Sequence, residues 1–162
     1  MSAAAELLAA ARAVGATLAT AESCTAGLVA AALTDPAGAS DVFDRGFVTY
    51  SNAAKIEALG VDPALIDRHG AVSEPVARAM ADGAIARSSA TLGVAVTGIA
   101  GPGGGTAAKP EGRVCFAVAR RDGPTLVETV EFGARGRAAV RQASVAHALA
   151  LLRRAVGDAP SG

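Results

Sequence analysis

The chain has 162 residues, with 15 basic and 15 acidic side chains, 3% aromatic residues and two cysteines. That length predicts a single domain spanning 1–162, large enough to bury a core without disulfides or metals. The charge balance argues against nucleic acid or an anionic membrane as partner. The scarcity of aromatics leaves no base-stacking surface, and Cys24 and Cys115 form neither a disulfide framework nor a zinc-ligand spacing.

The start has no cationic segment followed by a long apolar stretch, so no signal peptide is expected. No apolar run reaches the ~18 residues of a membrane span, and a cytoplasmic location is the expectation. Taken in order, Ser2 to Val14 reads as an Ala/Leu-rich helix stopped by Gly15. Thr17 to Glu22 reads as a short buried strand. Ala26 to Leu33 is apolar all round and predicts a fully buried helix, ended by Pro36 and Gly38. Gly46 to Ser51 predicts a strand, and Asn52 a cap for a helix running to Leu59, with Gly60 just beyond it. A short helix is expected from about Pro63, and another from Ser73, with Pro75 just inside, to about Arg87. Leu92 to Thr97 is a central strand, followed by a glycine-rich stretch over residues 98–112. Val114 to Ala119 and Leu126 to Phe132 read as strands joined at Arg121–Pro124, and Gly136 to Val156 as the last helix. The residues after Gly157 read as a frayed tail. This alternation predicts an α/β fold with a mixed central sheet and helices on both faces.

Only two lysines stand against 13 arginines, and Lys55 shares the stretch GFVTYSNAAK with Tyr50, the only tyrosine. Arg cannot lose its proton in a protein, whereas a desolvated Lys can. Lys55 and Lys109 are therefore candidates for work that Arg cannot do. The segment ATAESCTAG places Glu22, Ser23, Cys24 and Thr25 where a strand hands over to a helix. Backbone N–H groups exposed there can hold an oxyanion beside a nucleophile. The competing reading is an ordinary helix cap. Ser23 needs a base. With only His69 and His147, and no G-x-S-x-G elbow, a Ser–His–Asp set is poorly supported. A Ser23–Lys55 pair, with Tyr50 as relay or proton donor, uses the rare residues. Cys24 is the rival nucleophile, against the commoner fate of a small buried apolar residue.

The run GIAGPGGGTAAKPEG leads into a strand and matches neither a P-loop nor a dinucleotide fingerprint. Its small residues allow close approach of backbone to a ligand, and its N–H groups can form an anion nest. Arg135, Arg137 and Arg141 cluster at the start of the last helix. Arg137 and Arg141 share a face, where they could clamp a phosphate; Arg45 is a weaker candidate of the same kind.

Four ordered segments, ATAESCTAG, RGFVTYSNAAK, HGAVSEPVA and VAVTGIAGPGGGTAAKPEGRV, resemble the nicotinamide-nucleotide amidohydrolase family, also called the CinA C-terminal domain family. The likeness runs from about Glu6 to Leu152 and is to the stand-alone form. It implies a three-layer α/β/α sandwich, no metal and no cofactor. The implied reaction is hydrolysis of the carboxamide of nicotinamide mononucleotide to nicotinate mononucleotide and ammonia. Carried onto this chain, Ser23 is the implied nucleophile, activated by Tyr50 and Lys55 of the YSNxxK motif. Thr97 and Gly98 fall on the family's pocket-lining loop, and Arg137 and Arg141 match its basic positions; with Glu22, Cys24, Thr25, Arg45, Gly101 and Gly104 they make up the expected substrate-binding set. The family pattern Gly-Asp-Arg ahead of the last helix reads Arg135-Gly136-Arg137 here, without the acid, which puts the phosphate contacts of that corner in question. A nucleotide-binding domain without turnover and a Cys24-dependent amide hydrolase are the alternatives. A homodimer is expected from base rates alone.

Overall fold

The computed structural model describes residues 1–157; the segment read as a frayed tail lies outside the described residues. Helix α1 spans Ala3–Val14, with the Ser2 hydroxyl accepting from the Ala5 N–H and Gly15 ending it in the left-handed region. Strand β1 is Leu18–Glu22 and α2 is Leu28–Thr34. A 3-10 turn over Ala39–Asp41, absent from the sequence reading, leads into β2, Phe43–Val48. Helices α3, Asn52–Leu59, α4, Pro63–His69, and α5, Glu74–Ala86, follow in close succession. Strands β3, Leu92–Gly98, β4, Arg113–Arg120, and β5, Leu126–Glu131, precede α6, Arg137–Gly157.

The strands form one sheet in the order β2-β1-β3-β4-β5. β1 pairs in parallel with β2 and β3, while β3–β4 and β4–β5 are antiparallel. The sheet is therefore mixed, and the molecule is the expected three-layer α/β/α sandwich. One face packs on α1, α2 and α6, through Leu18, Val94, Val96, Val114, Phe116 and Val118. The other packs on α5 and carries Ala19, Ala21, Ala95, Ala117 and Ala119. Period-2 alternation thus separates bulky from small residues across the sheet. The small face lets α5 lie close. Elsewhere on α5, a Cβ on Gly83 would sit 2.1 Å from the Leu59 carbonyl oxygen, so the close approach of α5 to the end of α3 requires glycine.

Four local expectations change. α2 begins at Leu28, not Ala26, because Ala26 (φ 47°) and Gly27 (φ 97°) are left-handed and cannot lie in a right-handed helix. Nor is α2 fully buried: only Val29 and Leu33 are, since a helix over the sheet margin covers it with one stripe. β2 starts earlier and ends earlier than expected. Phe43 already pairs with Leu18, while Ser51 leaves the sheet to cap α3, its hydroxyl accepting from the Ala54 N–H. Ser51 takes the role expected of Asn52.

Candidate active site

The C-terminal ends of β1 and β3 lie side by side; the chain leaves β1 through a tight turn and β3 through the glycine-rich stretch. Ser23 follows β1 directly. Its N–H donates to the Val96 carbonyl of β3 at 2.9 Å, and it is 8% exposed. After β2, the Thr49 N–H donates to the Glu22 carbonyl, which extends the pairing by one residue and delivers α3 over the end of β1. The first turn of α3 then carries Lys55 inward. Lys55 is 1% exposed and is among the largest fully buried side chains of the chain.

The Lys55 ammonium nitrogen donates to Ser23 Oγ at 3.0 Å and to the Thr49 carbonyl at 3.0 Å. Among the described residues no carboxylate lies within ion-pair distance of it. Loss of hydration disfavours the charged form, and burial holds the Lys55 pKa below the ordinary lysine value, with the Cys24 thiolate opposing the shift only in second place. A lysine biased toward the neutral amine, 3.0 Å from a serine hydroxyl, is an activated-nucleophile pair.

Ser23 and Lys55 open into a cleft of about 220 Å³, lined also by Cys24, Tyr50, Asn52, Thr97, Gly98 and Arg137. A larger cleft of about 460 Å³, between α6 and the β4–β5 hairpin, holds Phe116, Leu126 and Leu151 but no nucleophile. Thr97 is buried and ties its hydroxyl to the Ala71 carbonyl at 2.9 Å, which fixes the cleft wall to the α4–α5 connection. At Gly98 a Cβ would lie 2.7 Å from a Val114 methyl, so the strand end has no room for a side chain.

Tyr50 lines the mouth and is 58% exposed. Its hydroxyl accepts from Arg137 Nη2 at 2.7 Å and makes no hydrogen bond to Ser23 or Lys55. Arg137 also donates to the Gly101 carbonyl at 3.0 Å, so one guanidinium spans from the Tyr50 ring to the glycine-rich loop.

Several residues expected to bind substrate serve the protein itself. Glu22 is wholly buried below the cleft. Its carboxylate accepts from the Thr25 hydroxyl at 2.6 Å, the Val29 N–H at 2.8 Å and the Ala30 N–H at 3.1 Å. It therefore satisfies the first turn of α2, leaving no helix-end N–H groups there for an oxyanion, and Thr25 is consumed with it. Arg141 donates to the Cys24 and Thr25 carbonyls. Arg45, on the outer edge of β2, pairs with Asp44 and the Arg87 carbonyl, away from the cleft. Gly104 is exposed and outside the cleft; Gly101 meets it only through Arg137. The glycine-rich loop supplies its own anion: the Glu111 carboxylate accepts from the Gly103 N–H at 2.5 Å. Lys109 acts as a tether, donating to the His69 carbonyl.

Sequence reasoning missed Asn52, Ala71, Val72 and Ala100 as lining residues. Asn52 was legible as the middle of the YSNxxK motif, but reading it as a cap hid it. Cys24 also lines the cleft; burial pushes its thiol up to about 11, so the thiolate is scarce at neutral pH. Among the described residues no cluster of three His, Cys, Asp or Glu side chains is arranged to hold a metal ion, and no helix is long and apolar enough to cross a membrane.

A family model, the CinA C-terminal domain, matches residues 1–156. A CinA-like protein of Mycolicibacterium gilvum is 59% identical over 142 residues, 88% of this chain and 33% of that protein. A CinA-like protein of Mycobacterium marinum is 57% identical over 141 residues, 87% of this chain and 33% of that protein. The chain thus spans about a third of the length of these curated relatives. Among solved structures, the competence/damage inducible protein CihA from Agrobacterium tumefaciens superposes with a TM-score of 0.92 at 48% identity, covering 96% of this chain and 93% of that one. A competence-damaged protein (CinA) superfamily member from Escherichia coli gives 0.86 at 35% identity, covering 94% and 90%.

Proposed function

The chain belongs to the CinA C-terminal domain family, and from that premise we propose that it hydrolyses a primary carboxamide, with nicotinamide mononucleotide as substrate and nicotinate mononucleotide and ammonia as products. The observation that carries this reading is the buried Lys55 amine, without a carboxylate partner among the described residues, 3.0 Å from Ser23 Oγ.

In the neutral form, Lys55 accepts the Ser23 proton as Oγ attacks the carboxamide carbon. The tetrahedral intermediate collapses when its C–N bond breaks, and the departing nitrogen takes a proton from Lys55 to leave as ammonia. Water then attacks the acyl-serine, returns a proton through Lys55 to Oγ, and releases the carboxylic acid. Tyr50 accepts from Arg137 and keeps its own O–H proton free to donate to a bound nucleotide. The cleft, about 220 Å³, is smaller than the ~300–1,000 Å³ that encloses a drug-sized ligand. It takes the carboxamide ring and leaves the sugar phosphate at the mouth, beside Asn52 and Arg137.

Incubation with nicotinamide mononucleotide in chelator is expected to release ammonia and nicotinate mononucleotide in equal amounts. Binding of the nucleotide without either product would replace this reading with that of a silent nucleotide-binding domain. Cys24→Ala is expected to keep turnover within about threefold of wild type, since a thiol with a pKa of about 11 is a poor nucleophile at neutral pH. A loss of the order of 10²-fold or more, typical of a reacting group, would transfer the nucleophile to Cys24.

A further inference from the structure

Arg141 lies one helical turn beyond Arg137 on α6, yet it does not line the cleft. Its Nε donates to the Cys24 carbonyl at 3.0 Å and its Nη2 to the Thr25 carbonyl at 3.5 Å. These residues form the turn between Ser23 and α2, and that turn is unusual. Ala26 is one of two non-glycine residues with positive φ among the described residues, and Gly27 beside it is also left-handed. A non-glycine residue there is strained and persists only where its surroundings over-determine it.

The turn has few internal ties. The Ala26 N–H donates to the Ser23 carbonyl, and the Leu28 N–H to the Thr25 carbonyl. Among the described residues the Cys24 carbonyl takes its hydrogen bond from Arg141 alone. A guanidinium donor makes a charge-assisted bond, roughly twice as strong as a neutral one. Peptide planes are rigid, so holding two successive carbonyls sets the orientation of the peptide units that follow Ser23.

We propose that Arg141 is a positioning residue: it clasps the strained turn from α6 and thereby sets Ser23 Oγ against the Lys55 amine, without touching substrate. The inference rests on Ser23 as the nucleophile in the reading above. It differs from the phosphate-clamp role that its position beside Arg137 suggested, and the two roles have different kinetic signatures. A phosphate ligand is lost as KM, and only for substrates that carry the phosphate. A positioning residue is lost as kcat, equally with and without it.

The test compares wild type with Arg141→Ala and Arg141→Lys on two reactions. The first is phosphonylation of Ser23 by a fluorophosphonate, in which the Oγ–P bond forms, fluoride leaves and the serine proton passes to Lys55. Its rate should fall about 100-fold in Arg141→Ala, the scale of cost for a nucleophile displaced by about 1 Å. Its pH midpoint should hardly move, because the Lys55 shift comes first from burial, which Arg141 does not supply. Added guanidinium at sub-denaturing concentration should restore the rate and ammonium should not. The second is turnover of nicotinamide mononucleotide beside nicotinamide riboside. Here kcat should fall with KM and the preference between the two unchanged.

Wild-type labelling rates in Arg141→Ala overturn the proposal, as does a loss confined to KM for the phosphorylated substrate. If Arg141→Ala does not fold, Arg141→Lys decides. It keeps the charge without the forked donor, so a roughly tenfold slower labelling rate supports the clasp and an unchanged one overturns it. Labelling of wild-type Ser23 without ammonia release would remove the substrate assignment and leave the Arg141 test standing. Absence of labelling would overturn both.

Discussion

Ser23→Ala and Lys55→Met are each expected to lower ammonia release from nicotinamide mononucleotide by about 10³-fold or more, with the double variant little worse than either single one. Removing the nucleophile and removing its base disable the same step, and groups acting as a unit are strongly non-additive. The pH profile carries the sign. Below its folded-state pKa the Lys55 nitrogen is an ammonium without a lone pair and cannot accept the Ser23 proton. Above that pKa it can. Burial lowers this pKa, so kcat/KM should rise with pH and level off below 10.5. A rate still climbing past 10.5 would show that burial does not lower the Lys55 pKa.

The same shift links to stability. The unfolded chain returns Lys55 to about 10.4. Between the folded and unfolded values the unfolded state binds more protons, so wild-type stability gains with rising pH. The neutral amine contributes fully above the unfolded value, and that contribution is lost as pH falls toward the folded one. Urea unfolding of wild type and Lys55→Met should therefore show the wild type gaining on the variant as pH is raised toward 10.5. A constant difference would contradict the shift.

Glu22→Ala is expected to destabilise the fold by about 3 kcal/mol or more. The change orphans the buried Val29 N–H and Thr25 hydroxyl and the half-buried Ala30 N–H. Each unsatisfied buried group costs about 1–3 kcal/mol. At roughly 2–4 °C per kcal/mol for a domain of this size, the melting temperature should drop by about 6–12 °C. Glu22→Gln keeps one acceptor oxygen and should fall between. Chemical denaturation of the three proteins measures this directly. A Glu22→Ala loss below about 1 kcal/mol would mean that the carboxylate does not hold α2.

The Ser23–Lys55 contact at the heart of the candidate site was legible because the proposed chemistry depends on residue type. Ser23 before a helix, a lone tyrosine and a rare lysine in one motif are visible in the linear chain, and the structure brings Ser23 and Lys55 into contact. The misplaced residues share one cause. Glu22, Thr25, Arg45 and Arg141 are polar or charged near the motifs, and proximity suggested ligand contacts. Each instead satisfies backbone or side-chain groups of the protein. For Arg141 the partner is 117 positions away, and no local pattern encodes such a pairing. Asn52 was missed for the converse reason. Ser51, one residue earlier, met the need for a cap and left Asn52 to the cleft.

The sequence by itself determined the alternation of helices and strands, the separation of bulky and small residues across the sheet, and the pair of residues proposed as nucleophile and base. These follow from periodicity and from the ionisation chemistry of single side chains. Only the tertiary structure decided which polar groups face the cleft and which are spent on the fold. It also decided that the lysine is stripped of water and that the turn holding the serine is clasped by a distant arginine. Burial and hydrogen-bond partnership are properties of where chain segments meet, and that meeting is set by packing the whole domain.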